Sequence, residues 1–157
     1  MPPNGVRFNY MNSKFKSVST ADGRGDFPWI RVAEMYLIEA EALARQTGKE
    51  DQAKDVLYLL AKNRDPQYLR SESSGDSLIN EILIQRRVEL WGEGRNFTDL
   101  KRLSLPLNRP EAASGSMGGH VASIAIKLTE PAGTNSWTWM IPRAEIDSNP
   151  KMVQNPA

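Results

Sequence analysis

Cysteine is absent from the 157-residue chain, which excludes a disulfide framework, a thiolate zinc site and a cysteine nucleophile. Histidine occurs once, at His120, so neither a His-rich metal site nor a relay of imidazoles can be assembled. Surplus charge is missing as well: 20 basic residues face 19 acidic ones, for a net charge of +1. A nucleic-acid coat needs excess cations to neutralise phosphate, and a polybasic membrane-surface binder needs them against anionic lipid. Neither is supported. No stretch approaches the ~20 apolar residues that span a bilayer. The opening MPPNGVRFNYMNSKF lacks the charged-then-apolar order of a secretory signal.

What is present is ordinary for a globular domain: 39% hydrophobic and 25% charged residues, in a chain long enough to bury a core. Residues 1–25 are polar and turn-rich, with one strand expected around Val6 to Tyr10. Asp26 followed by Pro28 is a helix-start signal. A first helix is predicted over about Pro28–Gln46, with Ile30, Ala33, Leu37, Ala40 and Ala44 on one stripe. Met35, Ile38 and Ala42 form a second stripe, so burial on more than one side is expected. Glu41 and Arg45 are spaced as an i,i+4 ion pair, and Gly48 suits a C-cap. A second helix, about Lys49–Arg64, would pack on the first as a hairpin because the link is short. SESSGDS then leads to a third helix over about Leu78–Trp91, capped by Asp76 or Ser77, and Asn96 can cap a short fourth. Beyond Leu103, scattered prolines and the SGSMGGH segment rule out long helices. Short strands are expected at Val121–Lys127 and Trp137–Ile141, a helical turn at PRAEI and a turn at Asn149-Pro150.

The densest pattern is EILIQRRVELWGEGRNFTDLKR, residues 81–102. On a helix, Ile79, Ile82, Leu83, Arg86 and Leu90 share a side, which puts a guanidinium inside the apolar stripe. A buried guanidinium needs a partner, since removing one costs roughly 3–5 kcal/mol. Arg86, Glu89, Glu93, Arg95, Asp99 and Arg102 intersperse the two signs, and they are expected to satisfy one another as a structural ion network. Glycosidase chemistry would require two acids flanking a cleft, one with its pKa raised; neighbouring arginines oppose that.

Three segments resemble the SusD/RagB family of outer-membrane nutrient-binding lipoproteins of Bacteroidetes: RVAEMYLIEAEALAR, ILIQRRVELWGEGRNFTDLKR and WMIPRAEIDSNPKMVQNP. The resemblance runs from about residue 26 to the end and corresponds to the family's C-terminal third. It implies a mainly α fold of tetratricopeptide-like helical hairpins over 26–103, followed by a Pro/Gly-rich irregular region with short strands over 104–157. Residues 1–157 would form the C-terminal part of one SusD-like domain, without the lipid anchor. The implied activity is non-catalytic, cofactor-free and metal-free: binding a glycan or other nutrient oligomer at the outer face of the cell outer membrane, and passing it to a SusC-like TonB-dependent transporter. Aromatic platforms with polar neighbours would do this. Candidate ligand-binding residues are Tyr10, Tyr68, Arg70 and Trp137. Trp137 and Trp139 would face the same way on a strand, and filling the core is the simpler reading for both. The alternatives are a helical-hairpin scaffold that binds protein without glycan affinity, and a hydrolase using Glu89 or Glu93. Loss of stability without loss of a reaction is the expected signature of changing Arg86 or Glu93.

Overall fold

The computed structural model describes residues 14–15, 25, 29–111, 119–120 and 125–156. The chain forms two compact units, residues 1–89 and 90–157. Tyr10 and the strand expected at Val6–Tyr10 lie outside the described residues, as does most of Val121–Lys127.

The first unit holds three helices: α1 (Val32–Ala44), α2 (Glu50–Ala61) and α3 (Gly75–Glu89). α1 packs on both α2 and α3. Its inward stripe is Ala33, Leu37, Ala40 and Ala44, which meets Ala53, Leu57 and Leu60 of α2 and Leu78 and Ile82 of α3. The four alanines on the two packed helices let the backbones approach closely, while Leu37, Leu57, Leu78 and Ile82 fill the space between and are fully buried. Fully burying one such side chain contributes about 1.5–3 kcal/mol.

The expected second apolar stripe of α1 is not covered. Met35 and Ile38 are 47% and 48% exposed, and Ala42 is exposed as well. Spacing alone puts Ile30 on the core stripe, but the helix starts at Val32 with Arg31 as N-cap, so Ile30 lies before it and is exposed. α3 begins at Gly75, three residues earlier than its apolar pattern suggested, and ends at Glu89. The Gly75 N–H donates to Glu50 Oε1 at 3.0 Å. A side chain from the first turn of α2 thus serves an end group that Asp76 or Ser77 was expected to serve. Gly48, with φ +74°, supplies the left-handed step just before α2 and does not itself cap α1, which closes at Arg45.

In the second unit, α4 (Arg95–Arg102) starts from Gly94, φ +76°, in place of the expected Asn96 cap. Strands β1 (Leu107–Asn108) and β2 (Thr129–Glu130) pair antiparallel, Leu107 opposite Glu130 and Asn108 opposite Thr129. A 3-10 turn, Asn135–Trp137, and a short helix α5 (Arg143–Ser148) follow. α5 realises the turn expected at PRAEI. The described residues are therefore mainly helical, with one small two-stranded sheet.

No strand forms at Trp137–Ile141. Two side-chain amides replace the ladder a neighbouring strand would have made. The Ile141 N–H donates to Gln154 Oε1 at 2.8 Å, and Gln154 Nε2 donates back to the Ile141 carbonyl at 2.9 Å. Asn155 Nδ2 donates to the Trp139 carbonyl at 2.7 Å. Gln154→Ala removes both bonds to Ile141 at a cost of about 1–3 kcal/mol. The expected outcome is faster hydrogen exchange at the Ile141 amide, read by NMR, with the exchange of α1 amides unchanged.

Candidate functional site

The charged residues of the third segment find much of their pairing outside it. Arg86 Nη2 donates to Glu34 Oε1 of α1 at 2.9 Å, and both side chains are under a tenth exposed. Glu89 accepts from the Arg31 guanidinium and from Arg64, whose Nε and Nη2 lie 2.9 and 3.0 Å from its two oxygens. The Glu89 carbonyl accepts from Lys14 Nζ at 2.8 Å and Arg31 Nη1 at 2.9 Å. Burial alone would raise the Glu89 pKa; the Arg64 hydrogen bond and charge, with Arg31 behind them, outweigh it and lower it. Within the segment itself, Arg102 Nε pairs with Asp99 Oδ1 at 2.9 Å along α4. Glu93 and Arg95 lie half-buried at the turn into α4. Arg86 and Glu89 thus tie α3 to α1 and to the end of α2.

Tyr68 and Arg70, candidates for ligand contact, are engaged by the protein. The Tyr68 hydroxyl donates to Glu81 Oε1 at 2.5 Å, and burial together with that carboxylate raises its pKa above the usual phenol range. Its ring stacks on Tyr58 with centroids 6.4 Å apart. Ser71 donates to the other oxygen of Glu81. Arg70 Nε reaches Asp55 Oδ1 at 2.6 Å, and its Nη2 reaches the Asp51 carbonyl at 3.0 Å. The two side chains pin the α2–α3 connector to the helices on either side of it.

The second unit carries a different grouping. Trp137 is buried, its indole N–H donates to the Pro131 carbonyl at 2.7 Å, and its ring stacks on Phe97 at 5.6 Å and 29°. Trp139 sits against the same Phe97 at 6.2 Å and 51°, yet is 79% exposed. The pair expected to face one way off a strand is split, because the 3-10 turn ends between them. Trp137 is the support and Trp139 offers the open face.

Beside this cluster lies a cavity of about 200 Å³ lined by Leu100, Lys101, Ser104, Leu105, Gly133, Thr134, Trp137 and Thr138. Its edge is the end of α4. The Leu105 N–H donates to the Leu100 carbonyl and the Ser104 N–H to the Lys101 carbonyl, the bonding of a Schellman turn. The residue at its left-handed position is Ser104, φ +51°, where glycine is the unstrained choice. Behind the cavity, Glu130 accepts from Lys127 at 2.5 Å and from the Thr134 hydroxyl. Those hydrogen bonds, Lys127 first, hold its pKa down to about 2.

Sequence reasoning does not single out Phe97, Lys101 or Ser104. The one available signal was LKRLSLP, a helix end followed by proline with neither Gly nor Asn to take the turn. No cluster of three or more His, Asp or Glu among the described residues could hold a metal. No helix among them is long and apolar enough to cross a membrane.

Arg86→Ala should destabilise the first unit by about 3–5 kcal/mol by removing a charged partner of buried Glu34, whereas Glu34→Leu with Arg86→Met should recover most of the loss; urea unfolding measures both. Glu89 has a lowered folded-state pKa, so its contribution is full above the unfolded carboxylate value and is lost as pH falls below it. Glu89→Gln should accordingly flatten the acid limb of stability against pH, followed by circular dichroism below pH 4.5.

A search of curated proteins finds no match. The family model described as the SusD family matches residues 2–157, almost the whole chain and further toward the N-terminus than the three segments reach. The SusD family is a binding family whose members take up glycans and other nutrients at the cell surface. With a match of that extent over a helical unit and an irregular C-terminal unit, this chain belongs to the SusD family.

Proposed function

We propose that this chain contributes to non-catalytic binding of a nutrient oligomer, an oligosaccharide by preference, at the outer face of the outer membrane. The ligand then passes to a SusC-like TonB-dependent transporter. Family membership sets the class of activity. The observation that carries the reading to particular residues is the Trp139 face, open to solvent and backed by Phe97, which itself rests on buried Trp137. An indole held in this way offers a rigid apolar plane to the C–H face of a sugar at little entropic cost. Hydroxyl-bearing Ser104, Thr134 and Thr138 line the neighbouring cavity and can exchange hydrogen bonds with sugar hydroxyls.

A general acid at Glu89 is disfavoured, since its pKa is lowered by two guanidiniums and an acid catalyst requires the opposite. Tyr68 and Arg70 act here as braces for their connector.

Trp139→Ala should weaken oligosaccharide binding about tenfold, equivalent to ~1.4 kcal/mol, without lowering the melting temperature, because the removed face is solvated. Isothermal titration of both proteins with a ligand found on a glycan array checks this. Equal affinities would remove Trp139 from the site, and absence of any glycan binding would favour the protein-scaffold reading.

A further inference from the structure

We propose that the cavity at the C-terminal end of α4 receives an anionic substituent of the ligand, such as the carboxylate of a uronic acid, with Lys101 as its counter-charge. The inference rests on the oligosaccharide reading above and assigns a ligand class to the same region.

Three features point there. The lining holds a cation and no carboxylate: Lys101 with Ser104, Thr134 and Thr138 around it, over the Trp137 ring. Arg70, Arg64 and Arg102 are each matched by an acid, Asp55, Glu89 and Asp99 in turn. Lys101 has no such partner among the described residues, and no protein acceptor engages the hydroxyls of Ser104 or Thr138 there. The acid bonded to a lining residue is already committed. Glu130 is taken by Lys127 and by the Thr134 proton, so it is compensated and does not compete for Lys101.

The third feature is conformational. Ser104 holds a left-handed backbone at φ +51°, a position where a residue with a β-carbon is strained and glycine is not. Ser104 and Lys101 both line the cavity, and the hydroxyl that the strained residue brings can donate to an anion there. Charge-assisted bonds of this kind are about twice as strong as neutral ones. Donation from a hydroxyl and an ammonium suits a carboxylate, which is purely an acceptor.

The test is an array of immobilised galacturonate and glucuronate oligomers beside their neutral galactose and glucose counterparts, probed with the full 157-residue chain, Lys101→Met, Ser104→Gly and Trp139→Ala. The expected result is about tenfold stronger binding to acidic oligomers at low salt, fading as salt rises. Lys101→Met should abolish that preference. Ser104→Gly should raise the melting temperature while weakening acidic binding severalfold. Binding that is equal for acidic and neutral oligomers, or indifferent to Lys101→Met, overturns the inference and leaves the Trp139 platform standing. Signals lost in Trp139→Ala alone assign binding to the platform without the cavity, and also overturn it. No signal on any oligomer overturns both. Unchanged circular dichroism of each variant separates these outcomes from misfolding.

Discussion

The buried pair of Glu34 and Arg86 fixes how the first unit is put together. Each side chain lies in an apolar stripe, and each is less than a tenth exposed. Taking either ion out of water alone would cost several kcal/mol, so α1 and α3 can pack only where the two face each other at 2.9 Å. The surrounding contacts could not impose this. Ala33, Ala40 and Ala44 present a smooth small-residue surface, which tolerates sliding by a turn far better than an ion pair does. Glu89 repeats the device at the end of α3, where Arg31 and Arg64 meet on one carboxylate. Apolar burial supplies the attraction between these helices, and the ions select the register.

The second unit is built on other physics. Its buried apolar residues among those described are Leu90 and Trp137, too few for a conventional core. Shape comes from local bonds in their place. The Gln154 amide holds the Ile141 backbone on both sides, Asn155 holds Trp139, and Pro131 accepts the Trp137 indole proton. The segment from Trp137 to Ile141 is thus immobilised without being a strand. Such a segment need not alternate its side chains, and that freedom allows Trp137 to turn inward while Trp139, two residues on, stays open.

This contrast explains what could be read from the amino-acid order. The three helices of the first unit follow from apolar spacing, because 33, 37, 40 and 44 repeat with the helical period and the hairpin link is short. Their ends were less legible: Glu50 serving the Gly75 N–H is a contact between distant positions, and no local rule anticipates it. The partner of Arg86 was hidden for the same reason, as Glu34 lies 52 positions away. That Arg86 required some partner was plain from its place in the stripe. Met35 and Ile38 escape the pattern, because periodicity reports which residues can be buried, not whether anything lies against them. In the second unit, alternation suggested a strand where amides do the binding, and Ser104 left only the LKRLSLP helix end as a mark, because its conformation is set by a turn often filled with glycine.

Among the described residues, the groups with clear pKa shifts are not poised for acid–base chemistry. Glu89 and Glu130 are pulled toward the charged form, Arg64 and Arg70 likewise, and Tyr68 is pushed toward its neutral phenol. Every one of these shifts carries the group further from neutral pH. Proton transfer in a transition state needs the reverse, a group brought close to the working pH so that both of its forms are accessible. Groups locked in one state make durable contacts and fixed fields, which suit a protein that holds a ligand and releases it unchanged. Ser104 at φ +51° and the exposed indole of Trp139 each give up some stability of the free chain.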